Sequence, residues 1–140
     1  MAKYRGKGTL IKRGNGDGPP ETFTTVPGAT DITGPEDSRE IIDVTSQESA
    51  GDYNEKMSGT IDAGNCTFTV FWDPANAVHA ALYADLTGGA ARSYQLYFPD
   101  AGHKTCTFEG FVSSFKRTGN VKGMLTADVV LTITGAPSWV

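Results

Sequence analysis

Few residues in this chain have the type and spacing to do chemistry by themselves. Gly14-Asn15-Gly16-Asp17-Gly18 has the glycine density of a phosphate-cradling loop. It lacks the Gly-Lys-Ser/Thr ending of a P-loop, and no helical pattern follows whose amino end would hold an anion. Asn-Gly and Asp-Gly instead supply the positive φ of tight turns, so the segment reads as a hairpin tip. Its single carboxylate, Asp17, is too little for calcium. His103 and Cys106, with Cys66 on another strand, offer three ligands of the kind zinc takes. The paired CxxC and the fourth ligand of such a site are missing. The chain has two histidines; neither falls in a nucleophile–base signature, and His79 is expected to face solvent or a neighbouring element. Asn65-Cys66-Thr67 matches a glycosylation acceptor, without a secretory signal to give it meaning. The sequence supplies no catalytic, cofactor or metal set.

Two other groups of side chains remain. Trp72, Tyr94, Tyr97 and Trp139 would suit a platform for a sugar or peptide if a freestanding β-sandwich brought them together. Asp43 and Asp62 lie on two short β-prone segments, residues 41–45 and 59–63, on either side of a long polar connection, residues 46–58. If those segments pair, alternation points Ile42, Val44 and Ile61 into the domain and both aspartates away from it. Most connections in compact domains are far shorter, and one this long is usually functional or disordered when free. Its only sizeable apolar groups are Tyr53 and Met57.

The elements that position these residues are mainly strands. Residues 9–12 and 21–26 form a hairpin around the Gly-rich tip. In residues 66–72, Cys66, Phe68, Val70 and Trp72 share one face. Residues 93–98, 104–116 and 122–134 follow as strands, the last two joined by Thr118-Gly119-Asn120. In the last, Leu125, Ala127, Val129, Leu131 and Ile133 fall on one side. One helix is expected, opening with Asp73 as N-cap and Pro74 in its first turn. Val78, Ala81, Leu82 and Leu86 make its apolar stripe, and Gly88-Gly89 end it. Phe68, Val70, Leu82, Leu125, Val129 and Leu131 are the expected core.

With 140 residues the chain fits one domain and can bury a real core. Its 17 glycines and abundant threonine favour strands joined by turns. No stretch approaches the roughly 20 apolar residues that span a bilayer, and no apolar run follows the basic start. Both absences lead to the expectation of a cytoplasmic protein, in which Cys66 and Cys106 stay as buried thiols. A net charge of −4 and a pI near 5.0 argue against a protein that grips DNA.

The Gly-rich turn before Pro20-Glu21-Thr22-Phe23, the run Glu40-Ile41-Ile42-Asp43-Val44-Thr45-Ser46 and the return Ser58-Gly59-Thr60-Ile61-Asp62-Ala63-Gly64 resemble the tail tube (major tail) proteins of long-tailed bacteriophages. The resemblance covers nearly the whole chain. It implies a structural protein, not an enzyme, with a β-sandwich or barrel-like domain flanked by one α-helix, the fold also of type VI secretion tubes. It implies hexameric rings whose inner sheets close into one barrel, stacked into a channel for DNA ejection. Residues 1–8 would then be an arm engaging neighbours, and residues 46–58 an inter-ring loop making contacts through Glu48, Asp52, Tyr53, Glu55 and Met57. Asp43 and Asp62 would face the lumen, where an acidic wall repels phosphate. The implied partners are further copies of the chain, a tape measure protein, a tail tip and a tail terminator. Viral DNA would pass through without specific binding. The implied location is the virion tail, assembled in the host cytoplasm. An immunoglobulin-like domain carried by many phage homologues is not expected here.

Overall fold

The computed structural model describes residues 3–16 and 22–140. Asp17, Gly18, Pro19 and Pro20 of the expected hairpin tip, Glu21 of the strand expected after it, and Met1 and Ala2 of the expected arm lie outside them. The chain order is β1 (Leu10–Gly14), β2 (Phe23–Thr25), β3 (Ala29–Thr33), β4 (Ser38–Asp43), β5 (Lys56–Asp62), β6 (Asn65–Phe71), α1 (Ala77–Gly88), β7 (Arg92–Tyr97), β8 (Thr105–Thr118) and β9 (Thr126–Trp139). The mainly β architecture with one flanking helix is the one expected. Seven strands form an open antiparallel sheet in the order β2-β1-β7-β8-β9-β6-β3, and β4 and β5 form a separate ribbon.

Alternation builds the core. Cys66, Phe68 and Val70 on β6 lie across from Leu131, Val129 and Ala127 on β9, and directly opposed residues share a face. All six are buried, together with Ile11, Tyr94, Leu96, Cys106, Phe108, Val112 and Ile133. Leu82 of α1 is fully enclosed among them, so the helix covers this face of the sheet.

Two sequence expectations change here. Asn76, not Asp73, caps the helix: its side-chain oxygen accepts from the amides of Val78 at 2.9 Å and His79 at 3.3 Å. Asp73 closes a turn one step earlier, accepting from the amides of Ala75 and Asn76, and Pro74 sits in that turn. Leu125 is 40 % exposed and not in the core, because β9 begins after it at Thr126.

The buried ridge of α1 also includes polar groups, His79 and Asp85, at positions i and i+6 around Leu82. His79 faces a neighbouring element. Its Nδ1 accepts from the Asp73 amide at 3.1 Å, so Nε2 carries the proton and donates to the Pro27 carbonyl at 2.7 Å.

The β3–β4 and β5–β6 segments form one long hairpin with a kink where the ribbon leaves the sheet. Gly64 makes that kink possible: its φ is 73°, and a Cβ there would lie 2.5 Å from the Glu36 carbonyl oxygen. The register places the two hairpin tips at opposite ends of the molecule. Asn65, where the ribbon joins, lies across from Thr132, whereas Phe71, at the far end of β6, lies across from Thr126 beside the β8–β9 turn.

Candidate assembly surfaces

The ribbon is the first surface that the domain does not satisfy internally. Every residue of β4 is exposed. Ile41, Ile42, Val44, Met57 and Ile61 are 58, 38, 43, 52 and 60 % exposed. The expected packing of Ile42, Val44 and Ile61 into the domain therefore does not occur, because the kink carries the ribbon clear of the core. A two-stranded ribbon is marginal in water by itself, and its outer edges carry unpaired backbone groups.

The register also separates the two aspartates. Ile41 pairs with Ser58 and Asp43 with Lys56, but Arg39 pairs with Ile61 and Ser38 with Asp62. One extra residue in β5, at Gly59-Thr60, shifts the alternation. Asp43 thus shares a face with Ile41 and Ile61, while Asp62 shares the other with Ile42 and Met57. The expectation that both carboxylates point away from Ile42 and Ile61 together fails at this bulge. Both also do local work. The Asp43 Oδ1 accepts from the Thr45 amide and the Asp62 Oδ1 from the Gly64 amide, each at 2.9 Å. Hydrogen bonds from Thr45, side chain first, hold the Asp43 carboxyl below its ordinary range.

The connection is shorter than the sequence suggests, since β5 already begins at Lys56 and takes in Met57. Residues 44–55 form the ribbon tip, closed by the Val44 amide donating to Glu55 at 2.9 Å and the Glu55 amide donating to Thr45 Oγ1 at 2.8 Å. Ser46 and Ser49 bond to one another through side chain and backbone. Glu48, Asp52 and Glu55 are exposed, and Tyr53 stands 84 % exposed at the tip.

A second surface is the outer face of β8, β9 and β6, opposite the helix. It carries Thr67 and Thr69 of β6, Asp128, Val130, Thr132 and Thr134 of β9, and Thr107, Glu109, Phe111 and Ser113 of β8. Three of its hydroxyls donate within the sheet. Thr69 donates to Asp128 at 2.8 Å, Thr132 to Ser113 at 3.0 Å, and Ser113 to the Val130 carbonyl at 3.1 Å. The alternation of β9, with Thr126, Asp128, Val130 and Thr132 opposite its apolar side, is the sequence signal for this face.

What fixes the helix against the sheet was not foreseen. The Asp85 carboxylate accepts from Arg13 Nε at 2.7 Å and Nη2 at 2.8 Å, from Arg92 Nε at 3.1 Å and from the Tyr94 hydroxyl at 2.9 Å. Burial pushes Asp85 up, but the hydrogen bonds from Arg13 and Tyr94 and the two guanidinium charges outweigh it, and the group ends below its ordinary value. Burial, and then the Asp85 charge, push the Tyr94 phenol up.

The four aromatics of the platform reading are not gathered. Tyr94 is fully buried, and Tyr97, three residues on and facing the other way, stacks on His103. Trp72 is covered by Arg117. Trp139, 44 % exposed, stacks on Phe98. Nor do His103, Cys66 and Cys106 converge, since both thiols are buried and His103 lies on the exposed turn between β7 and β8. Among the described residues no helix is long and apolar enough to cross a membrane.

Residues 4–140 match the model of a family described as lambda phage tail tube protein. The fold is similar to the tail of an empty gene transfer agent particle refined with C6 helical symmetry, with a TM-score of 0.80, 21 % identity and 99 % of each chain covered. It is similar to a sheath/tube terminator of an extracellular contractile injection system, with a TM-score of 0.72, 10 % identity, and 99 % of this chain and 97 % of that one covered. The SPP1 tail tube matches with a TM-score of 0.61 and 12 % identity over 94 % of this chain and 74 % of that one. No curated protein matches the sequence.

Proposed function

The chain belongs to the lambda phage tail tube protein family, a structural subunit of the tail of a phage-like particle, and on that premise we propose that its copies close into six-membered rings stacked into a hollow conduit for DNA. The observation that carries this reading is the ribbon. A protein that stayed alone would leave Ile41, Ile42, Val44, Met57 and Ile61 in water on both faces of a two-stranded sheet whose edges are unpaired. Neighbours in a ring and stack cover such a ribbon. Glu48, Asp52, Tyr53, Glu55 and Met57 make the inter-ring contacts, Tyr53 being the aromatic anchor. Residues 1–8 engage an adjacent copy.

The outer face of β8, β9 and β6 is the wall of the conduit. It carries the hydroxyls of Thr69, Ser113 and Thr132 bonded within the sheet and the carboxylates Glu109 and Asp128, with Lys116 set across from Asp128, a surface whose basic group stands beside a carboxylate and gives phosphate little to hold. Of the two aspartates assigned to the lumen, Asp62 joins this wall, because Ile61 on the opposite side of the ribbon lies beside buried Ala63 and residues 135–137. Asp43 belongs to the other face at the ribbon's far end. A tape measure protein occupies the lumen before DNA, and a tip and a terminator close the ends.

Electron microscopy of the concentrated protein tests the reading. Six-fold rings and tubes are expected, with Thr132 and Asp128 on the inner wall. A protein that remains monomeric at high concentration, or a tube with that face outward, overturns it.

A further inference from the structure

Two protruding tips at opposite ends of the molecule carry opposite charge. Residues 44–55, the ribbon tip, contain Glu48, Asp52 and Glu55 and no basic residue. Residues 116–125, the β8–β9 tip, contain Lys116, Arg117 and Lys122 and no acidic one. All six charged side chains are exposed, and no ion pair among the described residues engages any of them. The β8–β9 tip also presents Val121 at 105 % and Met124 at 65 % exposure, a substantial apolar surface for a turn. Beside it Arg117 lies over the rings of Trp72, Tyr83 and Phe115 at 5.0, 4.7 and 4.9 Å, which holds a guanidinium in place at the surface.

Nothing within the chain brings the two tips together. The full length of β6 separates them, about 23 Å at the rise of a strand. The charges are therefore complementary between copies, not within one. We propose that the β8–β9 tip of one copy receives the ribbon tip of a second copy of this chain in the next ring. Glu48, Asp52 and Glu55 face Lys116, Arg117 and Lys122, and Tyr53 seats against Val121 and Met124. This rests on the stacked-ring reading above and names the surface on which stacking occurs.

Charge reversal tests it. The variant Glu48→Lys/Asp52→Lys/Glu55→Lys and the variant Lys116→Glu/Lys122→Glu, which leaves Arg117 on its aromatic rings, each place like charges at the contact. Each is expected to form rings but to raise the critical concentration for tubes roughly a hundredfold or more. Combining all five changes in one chain restores complementarity with the signs exchanged, and tubes return. Tubes from either reversed variant at the wild-type concentration, or no recovery in the combined chain, overturn the proposal. A second measurement uses wild-type tubes. A zero-length carbodiimide should join Lys116 or Lys122 of one chain to Glu48, Asp52 or Glu55 of another. Interchain cross-links that omit these pairs overturn the proposal even if a variant fails to fold. Absence of wild-type tubes overturns the stacked-ring reading itself, and this contact with it.

Discussion

Tyr94 donates its hydroxyl hydrogen to Asp85 at 2.9 Å beneath the helix, so a strand residue and a helix residue share one buried hydrogen bond. Arg13 and Arg92 complete the shell around the same carboxylate. Asp85→Ala leaves two guanidinium groups and a phenol without their acceptor and is expected to cost about 3–5 kcal/mol in urea unfolding. The folded-state value of Asp85 lies below its unfolded value. Its contribution is therefore complete above the unfolded value, about pH 3.9, and is lost as pH falls through the folded one. In the Asp85→Ala protein the corresponding part of the acid-induced loss of stability disappears.

Leu82 and Leu125 offer a paired measurement, since one is fully buried and the other 40 % exposed. Leu82→Ala should cost about 2–5 kcal/mol through lost contacts and a residual cavity. Leu125→Ala, at the surface, should change stability by no more than about 0.5 kcal/mol. Chemical denaturation of both variants reads the difference directly.

The ribbon tip closes at Val44 and Glu55, so residues 45–54 are replaceable by a two-residue Asn-Gly turn that keeps Asp43 across from Lys56 and leaves β4 and β5 in register. The shortened protein should melt within a degree or two of the parent and assemble no further than single rings in electron micrographs. Long tubes from it would assign stacking to another part of the surface.

Both thiols are shielded. Burial, with a smaller push from Cys106, raises Cys66 to about 12, and burial with the Asp37 charge raises Cys106 to about 11. At pH 8 the native protein should react with iodoacetamide far more slowly than the urea-unfolded chain, counted by mass spectrometry. Because the folded values are raised, the thiols' contribution to stability is complete below the unfolded value near pH 8.5. It declines as pH rises through 11 and 12.

The parts of this fold that were legible in the sequence depend on uninterrupted alternation. Cys66, Phe68 and Val70 name their own face, as do Ala127, Val129 and Leu131, because a strand has only two sides. One misreading sits where that count is broken. A single added residue at Gly59-Thr60 separates Asp43 from Asp62, and nothing in the residue types there announces a bulge. Asp73 and Asn76 are equally good caps by chemistry, and only the turn that Asp73 makes with Ala75 decides between them. Asp85, Arg13, Arg92 and Tyr94 come from three elements, α1, β1 and β7, so their convergence belongs to tertiary structure alone. The exposed ribbon was misplaced for a different reason. Ile42, Val44 and Ile61 look like core residues, and in a protein that assembles, apolar side chains are also spent on surfaces that other molecules cover.

The placement of the ribbon tip and the β8–β9 tip at opposite ends of β6 has a consequence for any filament made from such subunits. A contact between unlike surfaces does not close on itself when copies are related along an axis, so growth is open-ended. The filament has polarity. One terminus shows acidic ribbons and the other basic hairpins, so subunits arrive at the two with different rates. A protein that fits one terminus does not fit the other. Direction is written into each subunit before the first ring forms.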